Sequence, residues 1–329
     1  MTTPARQHEA DAVELAYHTA LIRYGLKAQE DALAMWQDIP TAGAARSGPW
    51  LLRLLRYIAL RRQRARALTI AKYRLTRALR TGHTIARPGT SSESPVTIGD
   101  LEAEFEQLAG IDINISSVPE ATTIPVEPIT VTSTELDRLE RDAQEEAQVV
   151  LDALGPSSLT RRLAELDLEE AAEKVDKQRT EAHQKSGRRQ AAAVERLVLN
   201  GARSTTWTLA AKDKRAVGYV RFSTTGTPCG WCAMLISRGA VYRSEKSAKY
   251  AEGDLYHDNC KCDVMPVFSD EQYDQSDMFA LNREYSELWP QVTRGLSGKA
   301  ALSAWRAFIR KQQADAQEAR PSSTSVQEA

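Results

Sequence analysis

A chain of 329 residues is long enough for two domains, or for one domain carrying a long helical arm. Its 43 Lys and Arg against 44 Asp and Glu give a formal net charge of −1, which excludes a polycation that would seek nucleic acid with its whole surface. Aromatic residues make up only 6%, which argues against one large core; the abundant alanine and charge suit long helices with narrow apolar stripes. No apolar run approaches the roughly 18 residues of a membrane span. Met1-Thr2-Thr3-Pro4-Ala5-Arg6 leads into polar sequence, so neither a secretory leader nor membrane association is expected, and a reducing cytoplasm is the expected site of synthesis.

Residues 8–37 carry a ragged apolar face (Val13, Leu15, Ala16, Ala20, Tyr24, Leu26) and predict a helix ended by Ile39-Pro40. Residues 49–80 predict a second. Leu51, Leu54, Leu55, Ile58, Ala65, Leu68, Ala71, Leu75 and Leu79 recur at helical spacing, and Gly82 marks the stop. No acidic residue lies between Asp38 and Glu93, yet a dozen bases from Arg46 to Arg87 do, so the helix reads as basic and amphipathic, its arginines on the faces away from the leucines. Residues 84–98 read as linker, 99–108 as a short helix, and 112–133 as an extended connection with one strand at most. Thr134 is the expected N-cap of a helix reaching Leu154, where Gly155-Pro156 breaks it.

A longer helical tract is expected from Ser157 or Ser158 to Asn200, with Gly187 its weak point and Gly201 its stop. Another helix is expected at 203–215. Tyr219-Val220-Arg221-Phe222 alternates as a strand does, and Asp263-Val264-Met265-Pro266-Val267-Phe268 is a second extended piece. Helices resume near Asp270 and at 297–313, anchored by Trp289, Leu302, Trp305 and Phe308; the polar tail from 313 is expected to be disordered.

The four arginines Arg61, Arg62, Arg64 and Arg66 offer a nucleic-acid contact through phosphate charge. The favoured reading is a solvated face on a helix that docks through its leucine stripe, because no aromatic interleaving accompanies the charge. Trp50 and Tyr57 read as packing anchors.

All four cysteines fall in one window, as Cys229-Gly230-Trp231-Cys232 and then His257-Asp258-Asn259-Cys260-Lys261-Cys262. This C-x-x-C followed by H-x-x-C-x-C is the spacing of a structural zinc site. Gly230 eases the turn between the first two thiols, and two residues two apart on a strand project to one side. Cys229, Cys232, His257, Cys260 and Cys262 are five donors for four places. Either three cysteines bind with His257, or four cysteines bind and His257 supports them. Between Cys232 and His257 there is little to bury beyond Leu235, Ile236, Val241 and Tyr242, so a metal is expected to decide whether the module folds.

The run from Cys229 to Tyr242, together with Tyr256-His257-Asp258-Asn259-Cys260-Lys261-Cys262 and Pro266-Val267-Phe268, resembles the C-terminal motif of the MuF-like minor head proteins of tailed bacteriophages, in the form found in actinobacterial phages. The resemblance covers roughly residues 205–270. It implies a low-copy head protein, made in the bacterial cytoplasm and carried in the capsid interior, whose partners are the portal protein or the major capsid protein; a DNA-binding accessory role on packaged DNA is an alternative that rests on the basic helix alone. It also implies that Arg238 and Tyr242 belong to a short apolar strand of the module. Relatives of this branch are often labelled capsid maturation protease.

The residues give that label little support. Ser223, Ser237, Ser244 and Ser247 lie near His257, none in a nucleophile-elbow context. Cys229 or Cys232 with His257 could make a thiolate nucleophile, and Glu252, Asp254 or Asp258 could serve a catalytic zinc, but a closed cysteine-rich site explains the same residues more simply. His8, His18, His83 and His183 read as surface residues. The expected architecture is mainly α, with long helices, flexible linkers and a small α+β zinc-stabilised C-terminal module. Its parts are helices over 1–83, a linker over 84–133, helices over 134–202, the Cys/His module over 203–270, helices over 271–312 and the tail over 313–329.

Overall fold

The computed structural model describes residues 3–43, 47–90, 94–167, 171–224, 226, 228–239, 260 and 262–318. They are mainly helical and fall into two compact units, one built by residues up to Val217 and one by residues from Gly218 onward.

In the first unit α1 (Pro4–Trp36) starts where Thr3 accepts the Arg6 amide with its hydroxyl at 3.4 Å and Pro4 pre-sets the first turn. The second helix, α2 (Gly48–Thr81), ends as expected at Gly82, whose φ of 74° lies in the left-handed region. Both pack on α6 (Ala172–Lys212) and on each other. The scarcity of aromatics shows in the result, because apolar burial divides. One cluster gathers Val13, Tyr17, Leu68, Leu75 and Leu79 with Leu101 and Phe105 of α3 (Ile98–Ala109). The other gathers Trp36, Trp50, Leu54 and Ile58 with Leu151 of α4 (Ser133–Leu154), Leu159 of α5 (Pro156–Ala164) and Val194, Leu197 and Val198 of α6.

The expected linkers carry two short strand pairs. β1 (Thr84–Ile85) runs parallel to β4 (Val126–Glu127), and β2 (Val96–Thr97) antiparallel to β3 (Thr123–Ile124). Thr97 and Asp100 form a reciprocal capping box that opens α3.

Four expectations for this unit are corrected. The N-cap of α4 is Thr132, which accepts the Glu135 amide at 3.1 Å; Thr134 already lies inside the helix. The tract after Pro156 is two helices, α5 ending at Ala164 and α6 beginning at Ala172. Gly201 ends nothing, and α6 runs through it to Lys212. A Cβ at Gly201 would sit 3.2 Å from the Arg62 Cα, so this glycine lets α6 and α2 approach closely.

The fourth correction concerns polar side chains. His18 and His183 are buried, not surface residues. The His183 Nε2 lies 2.8 Å from the Ile39 carbonyl oxygen, and its ring rests on Trp36. Nor are the arginines of α2 uniformly solvated. Arg62, Arg74, Arg77 and Arg80 are buried and paired with Glu140, Glu104, Asp213 and Asp11 at 2.6–2.8 Å. Acids distant in the chain neutralise the acid-free helix.

In the second unit β5 (Gly218–Ser223) pairs antiparallel with β6 (Cys262–Val267), Ser223 opposite Cys262 and Gly218 opposite Val267. Val220, Phe222, Met265 and Val267 pack on Phe279, which sits in a 3-10 turn (Asp277–Phe279) after α8 (Asp270–Gln275). α7 (Gly230–Ile236), α9 (Ala280–Val292) and α10 (Gly298–Glu318) complete the unit. Trp305 is fully buried against Tyr285, Trp289 and Phe308, with ring centroids 5.2–5.5 Å away. Of the expected anchors, Leu302 and Phe308 are only half-buried; Ala301 and Ile309 flank Trp305 on the buried face instead. Helix α10 continues past residue 313 to Glu318, and the rest of the expected tail lies outside the described residues. Among the described residues no helix is long and apolar enough to cross a membrane.

Candidate metal centre

The C-x-x-C pair forms a helix start. Cys229 is extended and caps α7, its sulfur accepting the Cys232 amide at 3.4 Å, so that Cys232 lies in the first turn. Gly230 is required by packing. A Cβ there would stand 2.9 Å from Arg306 Cγ and 3.2 Å from Arg306 Cα, so only glycine lets this helix start lie against α10. The second pair sits where β6 begins, with Cys260 just before the strand and Cys262 its first residue.

These elements bring Cys232, Cys260 and Cys262 together. Their sulfurs all lie within 4.8 Å of one another, and all three residues are buried. Cys232 Sγ and Cys260 Sγ are 3.4 Å apart. A disulfide needs about 2.05 Å, whereas a tetrahedral ion with metal–sulfur bonds of about 2.3 Å holds its sulfurs roughly 3.8 Å apart. The triad fits the second geometry, and all four cysteines are free thiols. Three thiols leave a tetrahedral ion one place, for which Cys229 and His257 are the candidates. Cys229 is half-buried beside Cys232; His257 lies outside the described residues.

The electrostatics suit a cation. Contacts with the Cys229, Cys260 and Cys262 thiols, and then burial, push the Cys232 thiol far above its ordinary range. For Cys262 the hydrogen bond with Cys232 acts downward, but Cys260 and burial override it and the thiol also rises. Sulfurs packed this closely cannot all be anionic beside one another; a divalent cation would displace their protons and bind the thiolates.

Two supporting residues gave no sequence signal. Arg221 appeared only as part of an alternating strand; it is buried, and its Nη1 lies 3.8 Å from Cys232 Sγ. Asn282 on α9 is fully buried and donates from Nδ2 to the Arg221 carbonyl at 2.7 Å and the Ile236 carbonyl at 3.2 Å. It fastens the strand that carries Arg221 to the end of the helix that carries Cys232.

Other candidates are placed as follows. Ser237 is buried and its hydroxyl donates to the Met234 carbonyl at 2.8 Å, a bond within its own turn that leaves it poorly set as a nucleophile. Arg238 lies in the turn that follows α7, not in a strand, because the Cys229 cap starts a helix where the resemblance implied extended chain. Ser244, Ser247, Tyr242, Glu252, Asp254 and Asp258 lie outside the described residues. Of the four arginines offered for nucleic acid, Arg61 pairs with Asp31 at 3.1 Å, and Arg62 and Arg66 share Glu140 at 2.8 and 3.4 Å; Arg64 is exposed.

Residues 132–288 match the model of a family described as VG15 protein, a stretch that holds the whole cysteine window and a little under half of the chain. No curated protein and no solved structure matches the chain. The family match is consistent with a phage protein.

Proposed function

We propose that the chain is a minor head protein of a tailed phage, of the MuF-like kind, acting in capsid assembly in association with the portal or major capsid protein and carried in the capsid interior. The observation that carries this reading is the buried Cys232–Cys260–Cys262 triad within the family-matched stretch. A closed set of thiolates is suited to architecture; a catalytic zinc would keep a position open for water. The ion is zinc, with Cys229 or His257 as fourth ligand, and it holds the start of α7 to the start of β6.

The test is co-expression with the portal and major capsid proteins of the same phage. The expected result is co-purification with procapsids and an uncut major capsid protein. Specific cleavage that is lost in both Ser237→Ala and His257→Ala would replace this reading with the maturation protease.

A further inference from the structure

We infer that Arg221 is a positioning residue for the metal, a guanidinium built into the strand to hold the negative charge of the thiolates that bind it. The inference rests on the triad being a metal site. Around a divalent cation, three thiolates leave a net charge of −1 and four leave −2. That charge would sit where Cys232, Cys260 and Cys262 are all nearly inaccessible to water, and an anionic centre without water needs a fixed counter-charge or donors. Arg221 is 4% exposed and carries both. Its Nη1 lies 3.8 Å from Cys232 Sγ, a long contact for a thiol that would strengthen toward a thiolate.

The placement is specific. On β5 Arg221 stands two residues before Ser223, the register partner of Cys262, and its carbonyl is held by Asn282. A lysine there would bring the charge but not the planar fork, and a methionine would bring neither.

The experiment uses the full chain, with zinc affinity read by competition against a chromophoric chelator and the sulfur-to-metal charge-transfer band read in the cobalt-substituted protein. Arg221→Met should weaken zinc binding about 10–100-fold and move the band to lower energy, because a sulfur that loses its donor gives up electron density more readily. Arg221→Lys should recover part of both. Should Arg221→Met fail to fold, Arg221→Lys carries the test alone, with a several-fold weaker affinity and a band displaced in the same direction expected. Equal affinities and an unmoved band in the folded variants overturn the role of Arg221 while leaving the metal site standing. A wild-type chain that takes up no zinc or cobalt overturns the metal reading itself.

Discussion

Gly187 lies face to face with the indole of Trp36. A Cβ at residue 187 would fall 2.4 Å from Trp36 Cδ1 and 2.7 Å from its Nε1. The indole has little freedom to retreat, because its Nε1 donates to the His183 carbonyl at 3.0 Å and its ring meets Trp50 edge-on at 5.2 Å. The residue that looks like the weak point of a long helix is the place where α6 closes on α1.

Gly187→Ala is therefore expected to destabilise the first unit. Helix propensity favours alanine by about 1 kcal/mol, but overpacking costs about 1–3 kcal/mol, and a 2.4 Å approach belongs at the upper end of that range, so the close contact should win by about 2 kcal/mol. Gly48→Ala is the control, since nothing lies within 4 Å of a Cβ there; it should be neutral or stabilising. Urea midpoints of the two variants check the difference in sign.

Asp213 accepts three hydrogen bonds from two side chains. It accepts from Arg77 Nε at 2.7 Å, from Arg77 Nη2 at 3.0 Å and from the Tyr73 hydroxyl at 2.9 Å. The Asp213 and Arg77 side chains are each 1% exposed. Asp213→Ala leaves a buried cation short of its partner and should cost about 3–5 kcal/mol. Arg215, which pairs with Glu127 at 2.6 Å, is 39% exposed, so Arg215→Ala should cost no more than about 1 kcal/mol. Arg215 first, and then Arg77, hold the Glu127 carboxyl down to about 2. Its contribution to stability is complete above the ordinary carboxylate value of 4.5 and disappears as pH falls toward 2. Chemical unfolding followed between pH 6 and 2 should show that loss in the wild type and a smaller one in Glu127→Gln.

These contacts show which parts of the fold were legible. Helices α1 and α2 were, because apolar spacing marks them and Pro40 and Gly82 act through local backbone geometry that one residue type enforces; the start of α1 at Pro4, before the expected residue 8, was not. The β5 strand was legible from alternation and β6 as a short extended piece, buried along its whole length. Gly201 was not, since a glycine that ends a helix and one that admits a neighbouring helix look alike until the neighbour, here Arg62, is in place. Neither the end of α5 at Ala164 nor the start of α6 at Ala172 has a proline or glycine to announce it. The arginines of α2 looked solvated because their partners Asp11, Glu104, Glu140 and Asp213 are between 30 and 140 residues away in the chain. At the candidate metal centre the thiols could be named from spacing alone. The roles of Arg221 and Asn282 could not, because each depends on an element brought in by tertiary packing; the Cys229 cap is local to α7, and it was hidden because the resemblance implied extended chain there.

His18 sets an acid limit on the first unit. It is buried beside Lys72 and Arg203, and burial first, then those two cations, holds its imidazole well below the ordinary value of 6.5. Glu14 lies 3.9 Å away, but its carboxylate is taken by Lys72 at 3.1 Å. The unfolded chain binds a proton that the folded chain refuses. The His18 contribution is therefore complete above about pH 6.5 and is lost as pH falls below it, at no more than about 1.4 kcal/mol per pH unit. Unfolding free energies measured at pH 7.5, 6 and 5 should fall in the wild type and fall less steeply in His18→Leu.

Metal removal should act locally. The second unit has apolar packing of its own in Val220, Phe222, Met265, Val267 and Phe279, and again around Trp305. The cysteine window therefore does not depend on the ion for every contact, as its small apolar content had suggested. What the ion alone can fasten is the start of α7 to the start of β6, which meet through the thiols of Cys232 and Cys260. Treatment with a strong chelator should release the amides of residues 230–236 and 262 to fast hydrogen exchange, while those of Val264, Met265 and Val267 and of α10 keep most of their protection. Cys260→Ser should reproduce that pattern without a chelator. Exchange that accelerates uniformly through residues 218–318 would show that the ion holds the whole unit together; exchange that does not change at all would show that no ion was holding it.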